Sequence, residues 1–209
     1  MDGKLIMDTT MREGSPICDQ FCIERYENQT VFAIADGCNW GMKPRNAACA
    51  ASRRFVEYLS MNLSSLLSVR SAANICFEGV SQANAKIMEG NQLSWDKGTT
   101  TLLGGVTVML RDSELPWGFI GVGVGDCKAY LYQCKIGTIE EITMGSRSGS
   151  NINDATDPGG RLGPFVNRQH PDLRNLSCWF KPCNENDIIV LCSDGVHDNF
   201  DPQMHGISP

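Results

Sequence analysis

Two hydrophobic periods alternate along the 209 residues of the chain. Residues 21–25 and 30–35 are short β-rich runs joined by the polar turn Tyr26-Glu27-Asn28-Gln29, which predicts a pair of strands. The second run stops abruptly at Asp36-Gly37 and gives way to a loop over 38–43. From Pro44, a residue suited to a first helical turn, Ala48, Ala51, Phe55 and Leu59 recur every three or four positions and predict one apolar helix face. A second amphipathic segment, 71–89, puts Ala72, Cys76, Val80, Ala83 and Ile87 on one side; both stripes read as core. After Gly98 the strand signals return at 99–110, 118–124 and 128–132, with Gly125-Asp126 between the last two. Residues 144–176, rich in Gly, Ser, Asn, Asp and Pro, read as one long loop whose composition predicts mobility. Finally, 188–192 is a wholly apolar strand running into Ser193-Asp194-Gly195. The segment up to residue 19 reads as irregular. With no internal repeat and no linker-like boundary, a single mixed α and β domain over 1–209 is expected.

Composition narrows the class. The chain is 42% hydrophobic and 20% charged, ordinary for a globular protein and unlike a disordered or fibrous one. Its 18 Lys plus Arg against 24 Asp plus Glu give a formal −6, and no basic run offsets it, so neither nucleic acid nor an anionic membrane is an expected partner. An acidic balance instead suits a site that collects cations. The longest apolar run, 102–110, is too short for a membrane span and is broken by Arg111. Met1-Asp2-Gly3-Lys4 does not open a secretory signal. The ten Cys are scattered, several of them inside apolar strand-like runs, which points to a reducing cytosol or nucleus. Cys18/Cys22 and Cys178/Cys183 lack the spacing of a four-ligand zinc site, and the sequons at Asn28, Asn62 and Asn175 carry no weight without secretion. A monomer in the cytoplasm or nucleus is the expected state.

The candidate chemistry lies at strand ends. Three apolar strands each run into an Asp with Gly beside it: Ala35-Asp36-Gly37, Gly125-Asp126 and Ser193-Asp194-Gly195. One Asp-Gly is an ordinary turn. Three after apolar strands are a different matter, because a sheet holds such carboxylates rigidly and their mutual repulsion calls for a cation; oxygen-rich clusters of this kind suit Mg²⁺ or Mn²⁺. The run Gly121-Val-Gly-Val-Gly125 fails the dinucleotide fingerprint by one position and is followed by a strand where a helix is required. Neither a P-loop nor a nucleophile elbow occurs. His170, His197 and His205 lie in polar surroundings and read as solvated, with His197, beside Asp194 and Asp198, the exception to watch.

In this order the pieces resemble the metal-dependent protein phosphatases, the PPM or type 2C serine/threonine family. Met11-Arg12-Glu13 followed by Cys18-Asp19-Gln20 looks like the family's early Arg and acidic pair. Phe32-Ala33-Ile34-Ala35-Asp36-Gly37 is similar to FAVxDGHGG, Lys97-Gly98-Thr99-Thr100-Thr101 to SGTTA, and Val124-Gly125-Asp126-Cys127-Lys128-Ala129 to VGDSRA. The segment 187–198, DIIVLCSDGVHD, is similar to DxFLxLxSDGLWD. The resemblance spans 12–198. It implies an α+β, four-layer α/β/β/α sandwich of two antiparallel sheets flanked by helices, and hydrolysis of phosphoserine and phosphothreonine in phosphoproteins by a metal-activated water. The water would be activated at a centre of two Mn²⁺ or Mg²⁺ ions, with a third, weaker site in some members. Carried over by position, Arg12 is the phosphate clamp and Asp36 bridges the metals, with the Gly37 carbonyl and Asp194 as further ligands. Asp19 belongs to the acidic pair. Asp126 and Asp198 fall at the third-metal positions, and Gly159-Gly160 matches a glycine pair after the flap.

The chain departs from the family pattern at three places. Two extra residues separate Arg12 from the acidic pair, whose Glu is here Cys18. The His of the DGH element, which protonates the leaving oxygen in the family pattern, is Cys38. The family's last metal-binding Asp, carried by a later strand-and-helix segment, has no counterpart before Pro209, so the domain is expected to be incomplete at its C-terminal end. Two readings remain open at this point: a phosphatase, or a catalytically impaired pseudophosphatase that binds phosphoproteins or regulates.

Overall fold

The computed structural model describes residues 15–90, 93–111, 113–143 and 159–200. In chain order the strands are β1 (Gln20–Arg25), β2 (Gln29–Ala35), β3 (Leu102–Met109), β4 (Trp117–Val124), β5 (Lys128–Gln133), β6 (Thr138–Glu141), β7 (Arg161–Val166), β8 (His170–Asp172), β9 (Ser177–Cys183) and β10 (Ile188–Cys192). The helices are α1 (Met42–Met61), α2 (Val69–Met88) and the single turn α3 (Asp194–His197). Five strands form one sheet in the order β1-β2-β3-β4-β9, three form a second in the order β10-β5-β6, and β7 pairs with β8. Every pairing is antiparallel.

Strand alternation sorts the core into two layers. Along β2, Val31, Ala33 and Ala35 face the helices and join the buried cluster of Ala48, Ala51, Phe55 and Leu59 from α1 and Ala72, Cys76, Val80 and Ala83 from α2. Phe32, between them in sequence, faces the other way, into a cluster with Leu103, Phe119, Ala129 and Leu131 between the two sheets. There Phe32 and Phe119 stack with centroids 5.6 Å apart. Both apolar stripes expected from helical spacing are therefore core, and each fully buried Leu or Phe in them stabilises the fold by about 1.5–3 kcal/mol. The architecture is mixed α+β with antiparallel sheets and helices, as expected, and the described residues supply the layer order helix, sheet, sheet.

The helices begin where local chemistry lets them. Ser68 and Ser71 form a reciprocal capping box at the start of α2, two residues ahead of the expected boundary. Pro44 occupies the third position of α1, within its first turn as expected. At the other end of α2, Lys97 Nζ donates to the carbonyls of Met88 and Glu89.

The expected loop over 144–176 needs correction. Residues 144–158 lie outside the described residues, but 161–166 and 170–172 are paired strands. Leu162 is fully buried, it bridges Thr100, and the Gly163 N–H donates to Asn84 Oδ1 on α2 at 2.9 Å. One buried leucine among Gly, Pro and Asn leaves no period to read. Two further strands were hidden for other reasons. β9 carries Lys181 and Pro182, which a central strand would not tolerate; as the sheet's edge it needs no N–H from proline on its open side. β6 is four residues long and mostly exposed.

Where the chain leaves β2 for α1, a glycine is required. A Cβ on Gly37 would lie 2.7 Å from both the carbonyl carbon and oxygen of Pro44, so the first turn of α1 seats directly on the backbone behind Asp36. Gly37→Ala is expected to destabilise the chain by about 1–3 kcal/mol, the usual cost of forcing atoms into a packed site, read as a lower thermal midpoint by circular dichroism. An unchanged midpoint would show that α1 can retreat freely.

Candidate functional site

Register alone brings the expected acidic residues together. In the β1–β2 hairpin Gln20 lies opposite Ala35, so Asp19, just before β1, and Asp36, just after β2, emerge at the same end. In the second sheet Cys192 lies opposite Lys128, so Ser193-Asp194, after β10, and Gly125-Asp126, before β5, also emerge side by side. The two sheets pack face to face with these ends aligned. A pocket of about 510 Å³ opens there, lined by Ile17, Cys18, Asp19, Asp36, Gly37, Asn39, Trp40, Asp194 and Gly195.

The backbone of Asp36 is fixed by threonines. Its N–H donates to Thr101 Oγ1 at 2.9 Å. Its carbonyl accepts from the Thr101 N–H at 2.8 Å and from Thr100 Oγ1 at 2.7 Å. The Lys97-Gly98-Thr99-Thr100-Thr101 stretch thus anchors the strand end. Ser193 Oγ donates to Asp19 Oδ2 at 2.6 Å, tying the start of β1 to the end of β10. Partial burial, hydrogen bonds shared with Asp194 and Asp19, and the charges of those two carboxylates together push the Asp36 carboxyl up to about 9. A carboxyl this hard to ionise at neutral pH is one for which a proton or a cation must offset the neighbouring charge.

This donor set fits a hard divalent cation: the carboxylates of Asp19, Asp36 and Asp194, the Gly37 carbonyl, and no nitrogen or thiolate required. Among the described residues no three His, Cys, Asp or Glu side chains close into a ready cage; the carboxylates are gathered, but paired with one another rather than splayed around a centre.

The remaining expected residues sit around this pocket or outside the described residues. Arg12 lies outside them. Asp126 is buried and does not line the pocket; its carbonyl accepts from His197 Nε2 at 3.0 Å. His197 Nδ1 lies 2.9 Å from Asp198 Oδ1. His197 is therefore buried, not solvated, while His170 is exposed and His205 lies outside the described residues. Cys18 lines the pocket with its thiol turned to the carbonyls of Pro16 and Gly41, at 3.5 and 3.6 Å. Cys38 does not line it, and burial raises its thiol above the ordinary range, with Arg161 opposing.

Sequence reasoning missed three contributors. Ser193 reads as part of a motif rather than as the partner of Asp19. Trp40 is 80% exposed at the pocket's lip, a position no period marks. Asn175 looks like a chance sequon, yet its amide accepts from the Gly125 N–H at 3.0 Å and donates to the Gly125 carbonyl at 2.9 Å. That clamp holds the left-handed Gly125 (φ +105°) beside Asp126; adjacent glycine signals, not Asn175, advertised the turn.

No family model matches the chain. A PP2C-like domain-containing protein of Drosophila melanogaster, CG9801, is 30% identical to it over 191 residues, 90% of this chain. The chain spans 26% of that relative's length. Among solved structures, a bacterial serine phosphatase superposes with a TM-score of 0.59 at 18% identity, over 88% of this chain and 72% of the other. RsbX, solved in complex with magnesium, superposes with a TM-score of 0.52 at 13% identity, over 87% and 68%. These two likenesses are of fold.

Two outcomes follow from the site's electrostatics. The folded chain holds a proton on Asp36 that the unfolded chain, with its ordinary value of 3.8, releases. Stability of the metal-free chain should therefore be full below about pH 4 and fall as pH rises toward about 9. Asp36→Asn should flatten that decline and raise the midpoint at pH 8 by roughly 2–4 °C; thermal melts across this range, in chelator, decide it. Separately, Ser193→Ala should weaken Mn²⁺ binding about 10- to 100-fold, the usual cost of losing a ligand's hydrogen-bond partner, in a calorimetric titration, while Ser193→Thr keeps most of it.

Proposed function

We propose that this chain, which belongs to the metal-dependent protein phosphatase (PPM, type 2C) family, hydrolyses phosphoserine and phosphothreonine in proteins at the Asp19–Asp36–Asp194 pocket. The single observation that carries this reading is the gathering of three carboxylates around a backbone fixed by Thr100 and Thr101. A cluster so costly to ionise has little purpose as mere support, and the family's chemistry gives it one. The family is metal-dependent, and a fold relative is solved with magnesium; Mn²⁺ or Mg²⁺, two ions and in principle a weaker third, are the cofactors proposed for this chain.

Asp19, Asp36, Asp194 and the Gly37 carbonyl would hold the ions. Bound there, the ions supply positive charge against the phosphoryl oxygens and lower the pKa of water at the site. The chain's own residues do the rest. Thr100 and Thr101 fix where Asp36 points, so the carboxylate does not have to be ordered at each turnover. Ser193 holds one oxygen of Asp19 and so fixes the carboxylate at the pocket. Arg12 is the proposed clamp on the phosphate.

Proton supply is where this chain differs. An alkoxide leaving group, from serine or threonine, needs a proton as the P–O bond breaks. Cys38 stands where the family pattern has histidine, and a buried thiol with a raised pKa gives up its proton poorly. The reading therefore implies slow turnover of alkyl phosphates and easier turnover of aryl phosphates, whose leaving groups need no proton.

Release of phosphate from a phosphothreonine peptide tests the proposal. Activity should require Mn²⁺ or Mg²⁺, be abolished by chelator and fall at least about 100-fold in Asp36→Asn, consistent with loss of transition-state charge stabilisation. Folded protein that binds Mn²⁺ yet releases no phosphate would refute it. Cys38→His should raise turnover of the phosphothreonine peptide by about 10-fold or more, toward the lower range of general acid catalysis, with much less effect on p-nitrophenyl phosphate.

A further inference from the structure

Resting on the phosphatase reading of the acidic pocket, we infer that its apolar lip, Ile17 and Trp40, selects phosphopeptides with a bulky apolar residue beside the phosphorylated one.

The pocket has two unlike parts. Its floor is Asp19, Asp36 and Asp194; its lip carries Ile17 and Trp40. These two side chains are 64% and 80% exposed, so large apolar surfaces stand in water directly against a charged cavity. Met42, 55% exposed, follows within two residues of Trp40. Scattered apolar residues on a surface need no explanation, but two lining one cavity do. The two lip segments are also held together. The Cys18 thiol donates toward the Gly41 carbonyl at 3.6 Å, joining the segment of Ile17 to that of Trp40. Asn39, immediately before Trp40, adopts a left-handed conformation, φ 72°, one that asparagine tolerates and that turns the chain at the lip.

The lip's chemistry fixes the kind of peptide. Among the described lining residues only the three floor carboxylates carry charge, so the lip offers a flanking side chain apolar surface rather than an ion-pair partner. An apolar neighbour would cover the indole and the isoleucine, and a Trp at the centre of a contact is the residue type that most often dominates binding. Cys18 contributes here as well: its thiol takes the place of a carboxylate and leaves that side of the lip uncharged.

The test is binding, so that it does not depend on turnover. Three fluorescently labelled peptides carry a non-hydrolysable phosphonate analogue of phosphothreonine and differ only in the flanking residues: Leu and Phe, Gly, or Glu. Anisotropy titrations of the chain in Mn²⁺ should show the Leu/Phe peptide binding about tenfold tighter than the Gly and Glu peptides, neither of which covers the lip. Trp40→Ala should bring the Leu/Phe-to-Gly ratio close to one, and Trp40→Phe should preserve it; melts of each variant confirm folding. Equal affinities in the wild-type chain, an unchanged ratio in Trp40→Ala, or no binding of any peptide overturns the inference. Turnover of p-nitrophenyl phosphate by the wild-type chain reports on the underlying reading separately. Flank preference without turnover leaves the lip's role standing and removes the phosphatase; turnover without flank preference does the reverse.

Discussion

Like charges do not gather unless something holds them, and here the sheet does. Asp19, Asp36 and Asp194 leave three different strands, yet antiparallel register delivers the start of β1, the end of β2 and the end of β10 to one edge of the sandwich. The repulsion is offset partly at the carboxyls themselves, through Ser193 on Asp19 and the hydrogen bonds Asp36 shares with Asp194 and Asp19, and partly by the scaffold. Two threonines on the approach to β3 grip both backbone polar groups of Asp36, Pro44 packs on the glycine behind it, and Phe32 and Phe119, stacked on one sheet, fill the layer between the two. A looser sandwich would let the carboxylates drift apart.

A second ring of contacts ties the two sheets at that edge. Ser193, at the end of β10, holds Asp19 from the first sheet. His197, on α3, holds the carbonyl of Asp126 and touches the carboxylate of Asp198. Asn175 grips both polar groups of Gly125. These three links span 174, 71 and 50 residues of chain, and each fixes an acidic residue or the neighbour of one.

How far this was legible in the sequence depends on the range of the interaction. The helix faces and the strands at 21–25, 30–35, 118–124, 128–132 and 188–192 carry local periods strong enough to read, and the Asp-Gly strand ends announced the pocket's floor. β7 did not, because Leu162 is one buried residue in a run of turn formers, and β9 did not, because its proline is tolerable only at an edge that sequence cannot identify. Ser193, Asn175 and Trp40 were illegible for another reason. Ser193 and Asn175 act through contacts across 174 and 50 residues of chain, and Trp40 through its place beside a pocket that distant segments line; no local spacing encodes either. His197 stood out beside Asp194 and Asp198, but its neighbours in sequence gave no sign that the fold buries it against Asp126.

What the chain keeps and what it changes fall into separate classes. The retained features are those that would hold a cation: the gathered carboxylates, the glycine carbonyl and the threonine grip. On the phosphatase reading, the altered positions would act on the organic part of a substrate: Cys18 leaves a charge out of the lip, and Cys38 withdraws a proton donor that an alkoxide would need. Trp40 offers apolar surface beside them. These changes are mutually consistent. A lip that binds the substrate's flank more tightly holds the phosphate in place for longer, which matters most when the leaving group departs slowly. Binding spent equally on substrate and transition state does not speed the chemical step, so such a site would trade turnover for selectivity. On the phosphatase reading, such a pocket would belong to a slow and discriminating hydrolase, with Cys38 and Trp40 both within 4 residues of Asp36.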